Sequence, residues 1–135
     1  MTTADTSVLV AAFAAWHEHH RAAFAAVVRI DAVIGHCLLE TYSVLTRLPA
    51  PHRMTADVVS RYLREMFSGH RVLGLTPQAH RKLVTFCAAH GVSGGAVYDA
   101  VIAASCARAR ARLLTLDNRA HQTYAAFAVE HEMLA

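Results

Sequence analysis

Apolar residues recur at helical spacing along most of this chain, and short apolar runs separate the helical stretches. The Ala-rich segment Ser7–Val28 predicts two helices that meet near Trp16. Thr55 and Thr76 stand where helix N-caps are expected, and Gly91 stands where the second of these helices should end. Helices are predicted over residues 36–48, 55–67, 76–90, 97–111 and 117–125.

The short apolar runs between the helices predict strands. They are RIDAVIG (29–35), RVLGL (71–75), RLLTL (112–116) and AFAVE (126–130). The segment TTAD (2–5), before the first helix, is also predicted to be a short strand, although it is less apolar. Strands that alternate with helices form parallel sheets covered on both faces. The pattern therefore predicts a three-layer α/β/α sandwich with a central, mainly parallel sheet of four or five strands. No repeat or long polar linker interrupts it, so residues 1–135 are expected to form one domain.

The composition narrows the class of protein. Hydrophobic residues make up 55% of the chain and charged residues only 17%, which argues against disorder. No apolar run approaches the ~18–20 residues of a membrane span, and the first residues lack the basic start of a secretory signal. Cys37, Cys87 and Cys106 are isolated and predict reduced core residues rather than a disulfide framework or a zinc ribbon. A cytoplasmic protein with no membrane partner is expected.

Four acidic residues fall at the places where open α/β sheets bind ligands. Asp5 ends the first predicted strand, and Asp117 ends the fourth. Asp99 begins the helix after the glycine-bearing loop, and Glu40 lies early in the helix after the second strand. Strand C-termini and helix N-termini meet at one edge of such a sheet. We therefore expect these four carboxylates to share an edge.

Each of these acids alone has an ordinary structural explanation. Asp5 and Asp117 are good N-caps, and an acid early in a helix gains about 0.3–1 kcal/mol from the helix dipole. Four carboxylates at one edge, however, would repel one another and raise one another's pKa. A multivalent cation removes that conflict, and ligation by oxygen alone favours Mg²⁺ or Mn²⁺ over zinc.

Three segments carry a resemblance to a known family. The segments DTSVLVAAF, LLETYSVLTRLP and YDAVIAASCARARARLLTLD, with acids in the order Asp–Glu–Asp–Asp, resemble the PIN-domain ribonucleases. The likeness is to VapC-type toxins of type II toxin–antitoxin pairs, and it extends from Asp5 to the last strand. It implies a single PIN-like nuclease domain, an endoribonuclease dependent on Mg²⁺ or Mn²⁺ and inhibited by a cognate VapB-type antitoxin. The acids that correspond are Asp5, Glu40, Asp99 and Asp117.

In such a site the carboxylates hold one or two metal ions against the scissile phosphate. Asp5, Asp99 and Asp117 are expected to ligate the metal, while Glu40 either ligates it or orients the attacking water. Three nearby hydroxyls could hydrogen-bond these carboxylates, although plain capping or turn chemistry explains them equally well. They are those of Thr6, Ser7 and Thr115.

The charge balance suits a polyanionic substrate such as RNA. The chain has 13 basic and 10 acidic residues, and only six acids remain once the four site acids are set against a metal. Arg119 follows Asp117 by two residues and could contact a phosphate. Arg47 follows Glu40 by two helical turns and could reach the substrate from the same face.

Apolar surface is expected to remain for protein partners. The stretch Val8–Val28, with Phe13, Trp16 and Phe24, could form a groove for an antitoxin helix together with the helix over 55–67, although core packing explains these residues equally well. The family resemblance favours the partner, and it also implies a homodimer. Two other functions stay open: a PIN-like RNA-binding or assembly module with weak or no catalysis, and a metal-dependent phosphatase acting on small molecules.

Overall fold

Short strands and helices alternate along the whole chain. The structure, a computed structural model, describes all 135 residues. Its strands are β1 (Thr2–Ala4), β2 (Ala32–Ile34), β3 (Arg71–Leu73), β4 (Arg112–Thr115) and β5 (His131–Met133). Its helices are α1 (Thr6–Phe13), α2 (His20–Val27), α3 (Gly35–Thr46), α4 (Ala56–Met66), α5 (Pro77–Ala89), α6 (Ala96–Ala109) and α7 (His121–Ala126). The predicted α/β fold is confirmed.

All strand pairs are parallel, but the strands form two ladders rather than one. β4 lies between β1 and β5 in one ladder, and β2 pairs with β3 in the other. Asp31 links them at the β2 end: its backbone N–H donates to the Thr2 carbonyl at 3.0 Å, and its carboxylate accepts from the Thr2 N–H at 2.8 Å. The prediction of a single sheet of four or five strands is therefore not confirmed. Strands of three or four residues leave little length for a continuous ladder.

The last strand lies later in the chain than the sequence pattern predicted. The apolar segment 126–130 is not a strand, although the Glu130 carbonyl accepts from the Leu113 N–H of β4 at 2.9 Å. Helix α7 ends at Ala126, and Ala128 takes a positive φ of 55° as the chain turns away from the helix. The strand is His131–Met133, which pairs with Leu113–Thr115 of β4. All three residues of this edge strand are only half-buried, so it does not carry the apolar pattern that predicts a strand.

Most helix boundaries follow the local sequence, but α7 begins at His121, four residues after the predicted start at Asp117. Thr55 caps α4 by accepting a hydrogen bond from Val58 N–H, and Thr76 caps α5 in the same way from Ala79 N–H. The long predicted segment divides into α1 and α2, with Trp16 in the loop between them. None of the helices combines the length and the apolar composition that a membrane crossing requires.

The main core lies between the strands and the helices α1, α2, α3 and α6. Leu9, Ile34, Leu113 and Leu114 are among its largest fully buried side chains. All three cysteines are free and buried. Burial raises the pKa of the Cys106 thiol to about 12, so this thiol stays protonated as a small apolar side chain. Because β1 and β4 are part of this core, their C-terminal ends are held in place by its packing.

We predict that Leu114→Ala destabilises the protein far more than Leu39→Ala. Leu114 is fully buried in the central strand β4, whereas Leu39 on α3 is 75% exposed. The buried substitution should lower the free energy of unfolding by about 2–5 kcal/mol, and the exposed one should change it by less than about 0.5 kcal/mol. Urea unfolding of both variants measures the difference. Equal losses would contradict the described core.

Candidate active site

The C-terminal ends of β1 and β4 lie side by side and carry the first and last acids. Asp5 follows β1 directly, and its backbone N–H donates to the Leu114 carbonyl at 3.1 Å. This bond extends the β1–β4 pairing by one residue. Asp117 follows β4 two residues after Thr115. The parallel pairing thus brings both acids to one edge of the sheet.

Asp5 is only 2% exposed, and its carboxylate accepts four hydrogen bonds. Ser7 Oγ and the Val8 N–H donate to Oδ1, the latter at 3.4 Å as an N-cap of α1. Thr115 Oγ1 and Tyr124 Oη donate to Oδ2, the latter at 2.8 Å. Burial nevertheless raises the pKa of Asp5, because removal from water outweighs these donors.

Two hydroxyls connect the backbone after β4 to the Asp5 carboxylate. Ser7 Oγ accepts from the Leu116 N–H at 2.9 Å and donates to Asp5. Thr115 Oγ1 accepts from the Asp117 N–H at 3.0 Å and also donates to Asp5. Because each hydroxyl has one proton to give, the backbone donors fix its direction toward the carboxylate.

Glu40 lies on α3 between a hydroxyl and an imidazole. Thr6 Oγ1 donates to Oε1. His36, one helical turn earlier, places Nε2 at 3.7 Å from Oε2, an ion-pair distance that is longer than a hydrogen bond. The neighbouring His36 and the Thr6 hydroxyl lower the pKa of Glu40, so this carboxylate stays ionised at neutral pH.

Asp117 closes a local turn with Arg119. Its Oδ1 accepts from the Arg119 backbone N–H at 2.9 Å, and the Arg119 Nε lies 3.5 Å from the same oxygen. The Arg119 side chain is 94% exposed, so its guanidinium is accessible to solvent beside the carboxylate. The other Asp117 oxygen is free of this turn.

Asp99 lies in the first turn of α6 and lacks a hydrogen-bond donor among the neighbouring side chains. Burial raises its pKa to about 6, and the negative charges of Asp117, Asp5 and Glu40 contribute in that order. Arg119 opposes the shift only weakly. The repulsion expected among four acids at one edge is therefore concentrated on Asp99.

Three of the four acids border a cleft of about 930 Å³. Its lining includes Glu40, Asp99, Asp117 and Arg119, together with the hydroxyls of Thr6 and Ser7. Asp5 lies behind Ser7, out of contact with the open cleft. Arg47 ends α3 as its C-cap and is exposed away from this lining.

The donor set of the cleft suits a hard divalent cation, although it is not assembled around one. Three carboxylates face the same space, and carboxylate oxygens are the ligands that Mg²⁺ and Mn²⁺ prefer. The imidazoles of His17 and His19 also line the cleft. No three His, Cys, Asp or Glu side chains converge closely enough to enclose a metal ion. Asp5 would join such a set only by releasing one of its four hydrogen bonds.

Several site residues were not expected from the sequence. His36 could have been identified, because it stands four residues before Glu40 and so lies on the same face of the predicted helix. Tyr124 gives no local indication, because its partner Asp5 lies 119 residues earlier. Tyr98 also lines the cleft, but the sequence pattern did not single it out because it lies in an apolar helix beside Asp99.

A comparison with protein-family models decides the family. The model of the PIN domain matches residues 3–126, which include all four acids. The chain belongs to the PIN-domain family.

Known PIN-domain proteins resemble this one along its whole length. Ribonuclease VapC40 of Mycobacterium tuberculosis is 47% identical over 134 residues, which is 99% of each chain. The crystal structure of VapC20 from the same species, described as a Sarcin-Ricin loop cleaving toxin, has a TM-score of 0.71 and 20% identity over 90% of this chain and 94% of that one. FitAcB from Neisseria gonorrhoeae has a TM-score of 0.70 and 17% identity over 99% and 98% of the two chains. At these identities, the two structures show that the fold is shared.

We predict that Tyr124→Phe destabilises the PIN domain, because the buried Asp5 carboxylate loses a hydrogen-bond donor. The substitution removes one donor to a buried carboxylate while keeping the ring, so it should cost about 1–3 kcal/mol of unfolding free energy. Tyr42→Phe, on an exposed ring of α3, is the matched control and should change stability little. Urea unfolding measures both. If Tyr124→Phe matched Tyr42→Phe, the Asp5 network would not contribute to stability.

We also predict a pH-dependent stability that Asp99 causes when metal is removed. Its pKa is higher in the folded chain, at about 6, than the ordinary value of 3.8. Its contribution to stability is therefore complete below the lower value and is lost as the pH rises through the upper one. With a chelator present, Asp99→Asn should be more stable than the wild type at neutral pH, and the difference should shrink in acid.

Urea unfolding across this pH range, with a chelator throughout, measures the effect. Glu65→Gln, which neutralises an exposed carboxylate on α4, serves as the control and should keep the wild-type pH profile. If the stability of Asp99→Asn changed with pH in parallel with that of the wild type, the Asp99 carboxylate would not be the cause of the pH dependence.

Proposed function

We propose that this PIN-domain protein is a toxin endoribonuclease that cleaves RNA at a four-carboxylate Mg²⁺ or Mn²⁺ site. The main supporting observation is that Glu40, Asp99 and Asp117 line one cleft. Burial raises the pKa of Asp99, and the charges of Asp117, Asp5 and Glu40 add to that shift. The name of the 47% identical relative, a ribonuclease, supports the same activity. Carboxylates held in mutual repulsion favour the binding of a cation.

Each carboxylate has a separate part in the proposed site. Asp99 and Asp117 would hold the metal directly, since both face the cleft and Asp99 has no competing partner. Glu40, kept ionised beside His36 and Thr6, would either join them or orient the attacking water. A bound Mg²⁺ or Mn²⁺ lowers the pKa of its water and neutralises charge on the phosphate.

Asp5 contributes mainly by fixing the geometry behind the cleft. Its ties to Ser7 and Thr115 hold the ends of β1 and β4 together, so Asp117 has a constant position. We propose that it reaches the metal when the Ser7 hydroxyl, which borders the cleft, turns away. Arg119, exposed beside Asp117, would pair with a phosphate of the substrate. Arg47 would contact only more distant parts of the RNA.

A VapB-type antitoxin is the partner that the family implies, and exposed apolar side chains could accommodate it. Trp16 and Phe24 are each about half exposed. Phe13 instead packs on Tyr62 of α4, with ring centroids 4.4 Å apart, and belongs to the structure of the domain. We further propose a homodimer, for which Leu39 and Val84 offer unpartnered apolar surface on α3 and α5.

The alternative functions receive less support from the site. A binding module without catalysis would not require four acids whose charges repel one another, and this chain retains all four. A phosphatase acting on small molecules would suit an enclosed pocket, whereas this cleft is broad and has Arg119 accessible beside Asp117.

We predict that the purified protein, free of antitoxin, cleaves RNA with Mg²⁺ or Mn²⁺ and stops when EDTA is added. Asp99→Asn should reduce the rate by more than about 100-fold, because even groups that only orient metal ligands contribute 10–100-fold. Gel analysis of cellular RNA measures cleavage. Metal should also raise the melting temperature of the wild type but not that of Asp99→Asn.

Asp57→Asn is the matched control, since it removes an exposed acid in the first turn of α4 away from the cleft. It should retain cleavage. Full activity in EDTA would refute metal dependence, and full activity of Asp99→Asn would refute the assignment of the site.

A further inference from the structure

The aromatic ring of Tyr98 lies beside the proposed reaction centre, and its solvent-facing side packs against no other side chain. Tyr98 precedes Asp99 in the first turn of α6, is 55% exposed and lines the same cleft. It belongs to neither of the two hydrophobic clusters of the domain. Packing within the hydrophobic core therefore does not account for an aromatic ring at this position.

The ring of Tyr98 is held from one side by His36. The two planes are nearly parallel, at 8°, and the ring centroids are 5.5 Å apart, which is an offset stack. His36 is in turn next to Glu40, with its Nε2 3.7 Å from Oε2. The orientation of Tyr98 is thus fixed relative to the carboxylates, and the part of the ring not covered by His36 is free for a ligand.

We propose that Tyr98 is a base-stacking residue that positions the nucleotide next to the scissile phosphate. The inference rests on the proposed ribonuclease function and adds a specificity-determining residue to it. A flat, pre-oriented aromatic ring binds any base through its π-face, and such stacking is a main source of affinity for single strands. A base within a duplex has both faces covered, so only an unstacked nucleotide can use Tyr98.

The position of Tyr98 in the chain would bring the backbone of a stacked nucleotide close to the proposed metal ligands. Because Tyr98 and Asp99 are consecutive on one rigid helix, a base held by the first keeps its backbone near the second. Arg119 on the same cleft provides a positive charge for the phosphate. The substrate would then be held at two points of the same cleft, one aromatic and one cationic.

The test compares Tyr98→Leu, Tyr98→Phe and Tyr98→Trp with Tyr42→Leu, an exposed tyrosine outside the cleft lining. The probe is a short oligoribonucleotide of mixed sequence with 2-aminopurine, whose fluorescence falls on stacking, placed at each position in turn. Binding is measured in the Asp99→Asn background, where cleavage is blocked. Cleavage kinetics are measured with Asp99 intact.

We expect Tyr98→Leu to weaken binding by about 5- to 150-fold, with most of the loss in KM rather than kcat. Tyr98→Phe and Tyr98→Trp should restore affinity, and Tyr42→Leu should bind as the unaltered protein does. Quenching of 2-aminopurine at one position, absent in Tyr98→Leu, would place the stacked base. Unfolding curves should be nearly the same for all the Tyr98 variants, since the ring lies outside the core.

The outcomes separate this inference from the function on which it rests. If the protein cleaves RNA and Tyr98→Leu binds and cleaves normally, the stacking role is wrong and the ribonuclease function stands. The same holds if Tyr98→Leu impairs only binding of an antitoxin, because the ring then belongs to a protein interface. If the protein with all four acids neither binds nor cleaves RNA under any metal condition, both proposals fail.

Discussion

The buried carboxylate of Asp5 organises this structure. An ionised group removed from water is unfavourable unless hydrogen bonds replace its hydration. Here the replacement comes from Ser7 and Val8 of α1, from Thr115 of β4 and from Tyr124 of α7. One side chain thereby holds together the start of the first helix, the central strand and the last helix. Loss of this interaction would release several elements at once.

The four acids are chemically alike, but the fold gives them unequal surroundings. Asp5 is saturated with donors, Glu40 has Thr6 and His36, and Asp117 closes a turn with a backbone N–H. Asp99 has no comparable partner; burial raises its pKa, and the charges of Asp117, Asp5 and Glu40 add to the shift. Three of the acids are therefore held by hydrogen bonds, while Asp99 has none. In the proposed function, this carboxylate would hold a cation beside the RNA.

The sequence allowed the helices, four of the five strands and the edge that carries the acids to be predicted, because these follow from local patterns. Asp117 follows an apolar strand, and Glu40 and Asp99 lie early in apolar helices, where a solvated charge is not expected. Asp5 stands out instead by the apolar helix that follows it. The last strand was misplaced because β5 is a polar edge strand and the neighbouring apolar segment matched the pattern better. The division into two ladders and the bond from Tyr124 to Asp5 depend on distant pairings that no local pattern contains.

The length of chain between Tyr124 and Asp5 has a consequence for synthesis. The two partners are 119 residues apart, so a ribosome adds Tyr124 long after it has added Asp5. A chain interrupted after Asp117 would contain every proposed catalytic acid and still lack the Tyr124 donor, α7 and β5. During translation, the residues of the site are all made before the framework that holds them is complete. A nascent chain thus contains the chemistry of a nuclease well before it has the geometry of one.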